Sequence, residues 1–150
     1  MRPNEIRPLS PYKDEKRVRA ALFHGTWAAH LGKGDSLIPS AASGNRNFNA
    51  SNPSHVYMTD SPDRAQQYAN DTYYDLANKD FMINGQRIQG ARPTVYRVQP
   101  KGKLFEDDEG DILSRAKVPI IGTHWQATDD ERKDRISNLI FSDPEKYRNL

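Results

Sequence analysis

The strongest local signal in this 150-residue chain is a capped helix. Ser61 is an N-cap residue type and Pro62 follows at the first helical position, where a missing N–H costs nothing. Behind them Ala65, Tyr68, Ala69, Thr72, Tyr73 and Leu76 recur at spacings of three and four, one apolar face of an amphipathic helix. What surrounds that helix is short and β-like. His55-Val56-Tyr57-Met58-Thr59 and Thr94-Val95-Tyr96-Arg97-Val98 are rich in β-branched and aromatic residues, and Val118-Pro119-Ile120-Ile121-Gly122 forms a late strand with an edge proline. Strands with one or two helices early and strands again late imply an α+β domain rather than βαβ units.

The remaining segments are less regular. Residues 1–20 hold Pro3, Pro8 and Pro11 among charges and read as a flexible leader, with a single domain over 21–150. Arg19 to Phe23 is expected as a first strand ending at His24, with a short helix from Thr26 to Leu31 stopped by Gly32-Lys33-Gly34. Residues 39–54 are almost all turn formers, and a loop of that length suits a ligand cover. Asn84-Gly85 reads as a hairpin turn, and 129–141 as a short charged helix with Ile136, Leu139 and Ile140 as its apolar contact.

Composition excludes several functions. There is no cysteine, which removes disulfides, thiolate zinc sites and a cysteine nucleophile together. No apolar run approaches the length of a membrane span, and the amino terminus lacks a continuous apolar signal region. Residues 1–20 carry six Lys/Arg against three acids, leaving 16 basic and 17 acidic residues in 21–150, so the body is near neutral and lacks a domain-wide nucleic-acid footprint. The Gly32-Lys33-Gly34 stretch is not a phosphate loop, since Trp27 and Gly34 stand where such a loop needs Gly and Ser or Thr. The acidic run Glu106-Asp107-Asp108-Glu109-Gly110-Asp111 is not a calcium loop pivoting on Gly110, because Phe105 and Ala116 occupy required acid positions.

The motif left is Leu22-Phe23-His24-Gly25-Thr26, where an apolar run meets a histidine followed by a residue without Cβ. Taken alone, it fits a structural histidine as well as a ligand contact, just as Tyr57 and Tyr68 fit plain packing. In order, however, His24-Gly25, Tyr57, Tyr68 after ten intervening residues and a late acid resemble the His-Tyr-acid class of ADP-ribosyltransferases. Within that class, Phe23-His24-Gly25-Thr26, Val56-Tyr57-Met58-Thr59 and Val95-Tyr96-Arg97-Val98-Gln99-Pro100, followed by Gly102 and Phe105-Glu106-Asp107-Asp108, are similar to segments of the rifampin ADP-ribosyltransferase family. The likeness covers about residues 22 to 125. The excursion at 77–93, the leader and the tail after 126 depart from it.

The resemblance implies small split antiparallel sheets around an NAD cleft. It implies mono-ADP-ribosyl transfer: cleavage of NAD, as co-substrate without a metal, at its nicotinamide–ribose bond and capture of the ribose by an acceptor, here a rifamycin-type hydroxyl. His24, Tyr57 and Asp108 are the implied catalytic residues. His24, Gly25, Thr26, Tyr57 and Tyr68 are the implied NAD contacts. Asp107 and Glu106 compete with Asp108, because neighbouring strand residues face opposite ways. Such an enzyme is expected as a cytoplasmic monomer with no membrane contact. Two alternatives stay open: a secreted effector domain acting on protein or RNA and countered by an immunity protein, and a non-catalytic module that binds ADP-ribose or nucleotides.

Overall fold

The computed structural model describes residues 5–39, 54–83 and 85–134. The domain is α+β, built on antiparallel strands with few helices. One four-stranded sheet runs β1 (Arg7–Pro8), β8 (Leu104–Glu106), β9 (Ile112–Ser114), β4 (Val56–Met58). The other runs β2 (Leu22–Thr26), β7 (Thr94–Val98), β10 (Val118–Gln126), β3 (Ser36–Leu37). A hairpin of β5 (Met82–Ile83) and β6 (Gln86–Arg87) stands apart, with Gly85 at φ +80° in its turn.

The inner faces of the two sheets make the main core. Leu22, Tyr96, Val98 and Ile120 from one sheet meet Val56, Met58, Leu104 and Ile112 from the other. Tyr96 and Val98 alternate with exposed Arg97 along β7, the period of two that puts one face inside. The long helix α2 (Pro62–Asn78) begins where the sequence places it, with the Ser61 hydroxyl accepting the Arg64 N–H at 3.2 Å. Its Ala65 and Ala69 pack on Val95, Phe23 and Trp125, while Tyr73 and Leu76 join Trp27, Ile83 and Ala91 in a second cluster under the hairpin. Small residues at 65 and 69 let the helix axis come close to β2.

Three expectations change. Residues 5–20 are not an extended leader: β1 pairs with β8, Leu9 N–H donates to the Leu104 carbonyl, and α1 (Glu15–Ala20) packs Val18 against the core. Because α1 occupies Arg19, with its guanidinium on the Pro100 and Gly102 carbonyls at 2.9 and 2.8 Å, the first long strand starts at Leu22 and runs through His24. The helix expected over 26–31 is a turn, since the Tyr96 hydroxyl donates to the Ala28 carbonyl and accepts the Leu31 N–H, capturing groups a helix needs for itself. Residues 129–134 open a helix, while Ile136, Leu139 and Ile140 lie outside the described residues, as does most of the 39–54 loop. No helix among the described residues is long and apolar enough to cross a membrane.

Candidate active site at the parting of two sheets

The two sheets touch along β2 and β4, and they part after one pair. Phe23 and Thr59 exchange both backbone hydrogen bonds, Phe23 N–H to the Thr59 carbonyl at 2.8 Å and Thr59 N–H to the Phe23 carbonyl at 2.9 Å. Antiparallel pairing would next join Gly25 to Tyr57. Instead the His24 ring takes the Tyr57 carbonyl, Nδ1 to O at 2.6 Å. A carbonyl only accepts, so Nδ1 carries the proton and Nε2 remains an acceptor. Desolvation lowers the His24 pKa against the opposing pull of that carbonyl, so the ring is neutral at pH 7.

Gly25 follows from this break. Phe23 spends its peptide groups on Thr59, so by the alternation of antiparallel ladders those of Gly25, two residues on, also point away from β7. They face the gap between β2 and β4. Glycine is required there on the side-chain side too: a Cβ would lie 1.8 Å from the Ala65 carbonyl oxygen of α2. Thr26, at the end of β2, accepts the Ala28 N–H on its hydroxyl at 3.2 Å.

Tyr57 is half-buried on β4 opposite Leu113 of β9. Strand parity puts Asp111, two residues before Leu113, on that same face. There the Tyr68 hydroxyl of α2 donates to the Asp111 carboxylate at 3.0 Å, and Arg64 Nε approaches the same carboxylate at 3.3 Å. Asp111 is 2% exposed. Burial pushes its pKa up to about 6, with Asp107 and Glu109 adding to the rise and Arg64 and Tyr68 opposing it. Burial likewise pushes Tyr68 to about 12.

The acidic turn therefore divides its carboxylates. Asp107 turns inward, where Oδ1 accepts the Glu109 and Asp111 N–H groups at 3.0 and 2.9 Å and Oδ2 is buried without a hydrogen-bond partner. Asp108 turns outward to Arg7 of β1, Nη1 to Oδ1 at 2.6 Å. Glu106 is held by the Ser10 N–H at 3.0 Å, by Lys13 and by Arg7. Burial raises its pKa, yet these partners together hold it below the usual carboxylate value.

The structure thus gathers His24, Gly25 and Tyr57 at one gap, with Tyr68 on the face that carries Tyr57, and it turns Asp108 to the other side. Arg64 and Asp111 were missed from sequence. Arg64 lies four residues before Tyr68 on a helix, a spacing that brings side chains together, and Asp111 is the first residue after the turn glycine Gly110. The fold and site define an α+β domain with two antiparallel sheets parted over a histidine, a glycine and two tyrosines. No protein-family model matches the chain, and no curated protein matches it.

Proposed function

We propose that this chain is an NAD-dependent mono-ADP-ribosyltransferase with the split-sheet fold of that class. The observation that carries the reading is the His24–Tyr57 contact, which parts β2 from β4 and leaves the Gly25 peptide groups facing the gap. A planar carboxamide needs one donor and one acceptor side by side, and a glycine peptide edge offers both without a Cβ in the way. The Tyr57 ring then supplies a stacking face for nicotinamide, and the neutral His24 offers Nε2 to a ribose hydroxyl.

In the reaction, the bond between nicotinamide and the ribose carbon breaks, nicotinamide leaves with the electron pair, and an acceptor hydroxyl captures the carbon and loses its proton. The developing charge resembles the oxocarbenium of glycoside cleavage, so negative groups near the ribose lower the barrier. The run 106–111 is the source of that charge, with Asp108 available to it only when the Arg7 pair opens. By resemblance the acceptor is a rifamycin-type hydroxyl. Calorimetric titration with NAD in the presence of a chelator, together with nicotinamide release, tests the reading. No binding at millimolar NAD by the folded protein sinks it.

A further inference from the structure

Arg64 is poorly placed for its own helix. It lies in the first turn of α2, where a positive charge opposes the helix dipole. What compensates is Tyr68 of the same helix together with the acidic turn between β8 and β9. Its guanidinium donates to the Tyr68 hydroxyl from Nε at 3.1 Å and Nη2 at 2.8 Å, and it approaches Asp111 at 3.3 Å and Glu109 at 3.9 Å. The Tyr68 oxygen accepts from Arg64 and donates to Asp111, so donor and acceptor capacity are both used and the ring is fixed in direction. Helix α2 thereby spans the parting of the sheets, with Ala65 over Gly25 of β2 and Tyr68 over Asp111 beside β9.

We propose that Asp111 is a positioning residue of the candidate site, holding the Tyr68 ring on the face that carries Tyr57 through its hydroxyl and the Arg64 guanidinium. This rests on the ADP-ribosyltransferase reading, in which Tyr68 closes one side of nicotinamide. The ionised carboxylate offers both oxygens to Tyr68 and Arg64, whereas a protonated one commits an oxygen to its own O–H. Protonation removes the ion pair with Arg64, while Asp107 and Glu109, the other charges facing Asp111, favour the proton. A working site therefore belongs to the pH range above the Asp111 transition, and acid releases Tyr68.

The experiment measures NAD affinity and nicotinamide release from about pH 5 to about pH 8 for the unaltered protein, Asp111→Asn, Tyr68→Phe and the double variant. Release by the unaltered protein is expected to fall as pH drops through about 6. Asp111→Asn should abolish that limb and lower the plateau by roughly 10- to 100-fold, the scale of a displaced contact group. Tyr68→Phe, which keeps ring and packing, should do the same, and the double variant should lose little more. If Asp111→Asn misfolds by circular dichroism, Tyr68→Phe decides alone. An active protein whose rate and acid limb survive Asp111→Asn, or Tyr68→Phe in its place, overturns the positioning role only. A folded protein that neither binds NAD nor releases nicotinamide brings down the ADP-ribosyltransferase reading and the role with it.

Discussion

His24 Nδ1 donates to the carbonyl oxygen of Tyr57 across the parting of the two sheets, at 2.6 Å. Removing the ring leaves that carbonyl without its donor at a half-buried position, so His24→Ala should cost about 1 to 3 kcal/mol in urea denaturation. The pH dependence has a definite sign. The folded His24 pKa is below 6.5, so as pH falls under 6.5 the unfolded chain takes a proton that the folded chain refuses, and stability is lost. Asp111 acts oppositely: its folded value near 6 exceeds 3.8, so between those values the folded state holds the extra proton and gains stability as pH falls. The difference between the unaltered protein and His24→Gln isolates the histidine, and it should narrow as pH falls from about 7 to about 5.

Gly25→Ala tests how closely α2 lies on β2. The new methyl would sit 1.8 Å from a backbone oxygen, 2.8 Å from the Ala65 carbonyl carbon and 2.8 Å from the Ala69 nitrogen. None of these atoms is the flexible end of a side chain. Helix or strand must move, at a cost of about 3 kcal/mol or more. Chemical denaturation checks it, and a loss below about 1 kcal/mol would mean that α2 and β2 are not in close contact at Gly25.

What was legible in the sequence was local. Ser61, Pro62 and the 65–76 period set α2, and the alternation along 94–98 set β7, because each signal lies within the element it specifies. The amino-terminal segment was illegible because its partners are remote: Arg7 and Lys13 meet Glu106 about a hundred residues away, and Pro8 tolerates a strand only because it is an edge. The expected helix at 26–31 lost to the hydroxyl of Tyr96, a contact no local pattern encodes. At the site, His24, Gly25 and Tyr57 were readable as a motif, whereas the direction of each acid was not. That direction depends on a turn at Gly110 and on Arg7, and one residue of register reverses it.

Tyr57 separates binding from packing. It is half-buried on an edge strand, and its neighbours Val56 and Met58 are the residues of β4 in the main core. Tyr57→Ala should therefore fold, while NAD binding weakens by roughly 1 to 3 kcal/mol as an aromatic contact is lost. Tyr57→Phe should keep nearly all affinity. Calorimetry reads both. Unfolding of Tyr57→Ala would instead assign the ring to the core.

Glu106 and Asp108 are both paired to the amino-terminal segment, and they should respond differently. The Glu106 side chain is 5% exposed and carries three contacts, so Glu106→Ala leaves the Ser10 N–H without its acceptor, for about 1 to 3 kcal/mol, while Lys13, 46% exposed, returns to water. Its folded pKa is depressed, so that contribution is present above 4.5 and fades as pH falls through the folded value. Asp108 pairs with an Arg7 side chain that is 48% exposed, and water and salt screen such a pair. Asp108→Ala should cost under about 1 kcal/mol, and less in high salt. The resemblance makes Asp108 the catalytic acid and so expects a loss of about 100-fold in nicotinamide release. Its carboxylate is on Arg7 and away from the face of Tyr57, so release within a few-fold of the unaltered protein is the outcome this geometry supports. A 100-fold loss would mean that the Arg7 pair opens in the working enzyme, and Arg7→Ala, which frees Asp108, should then raise the rate.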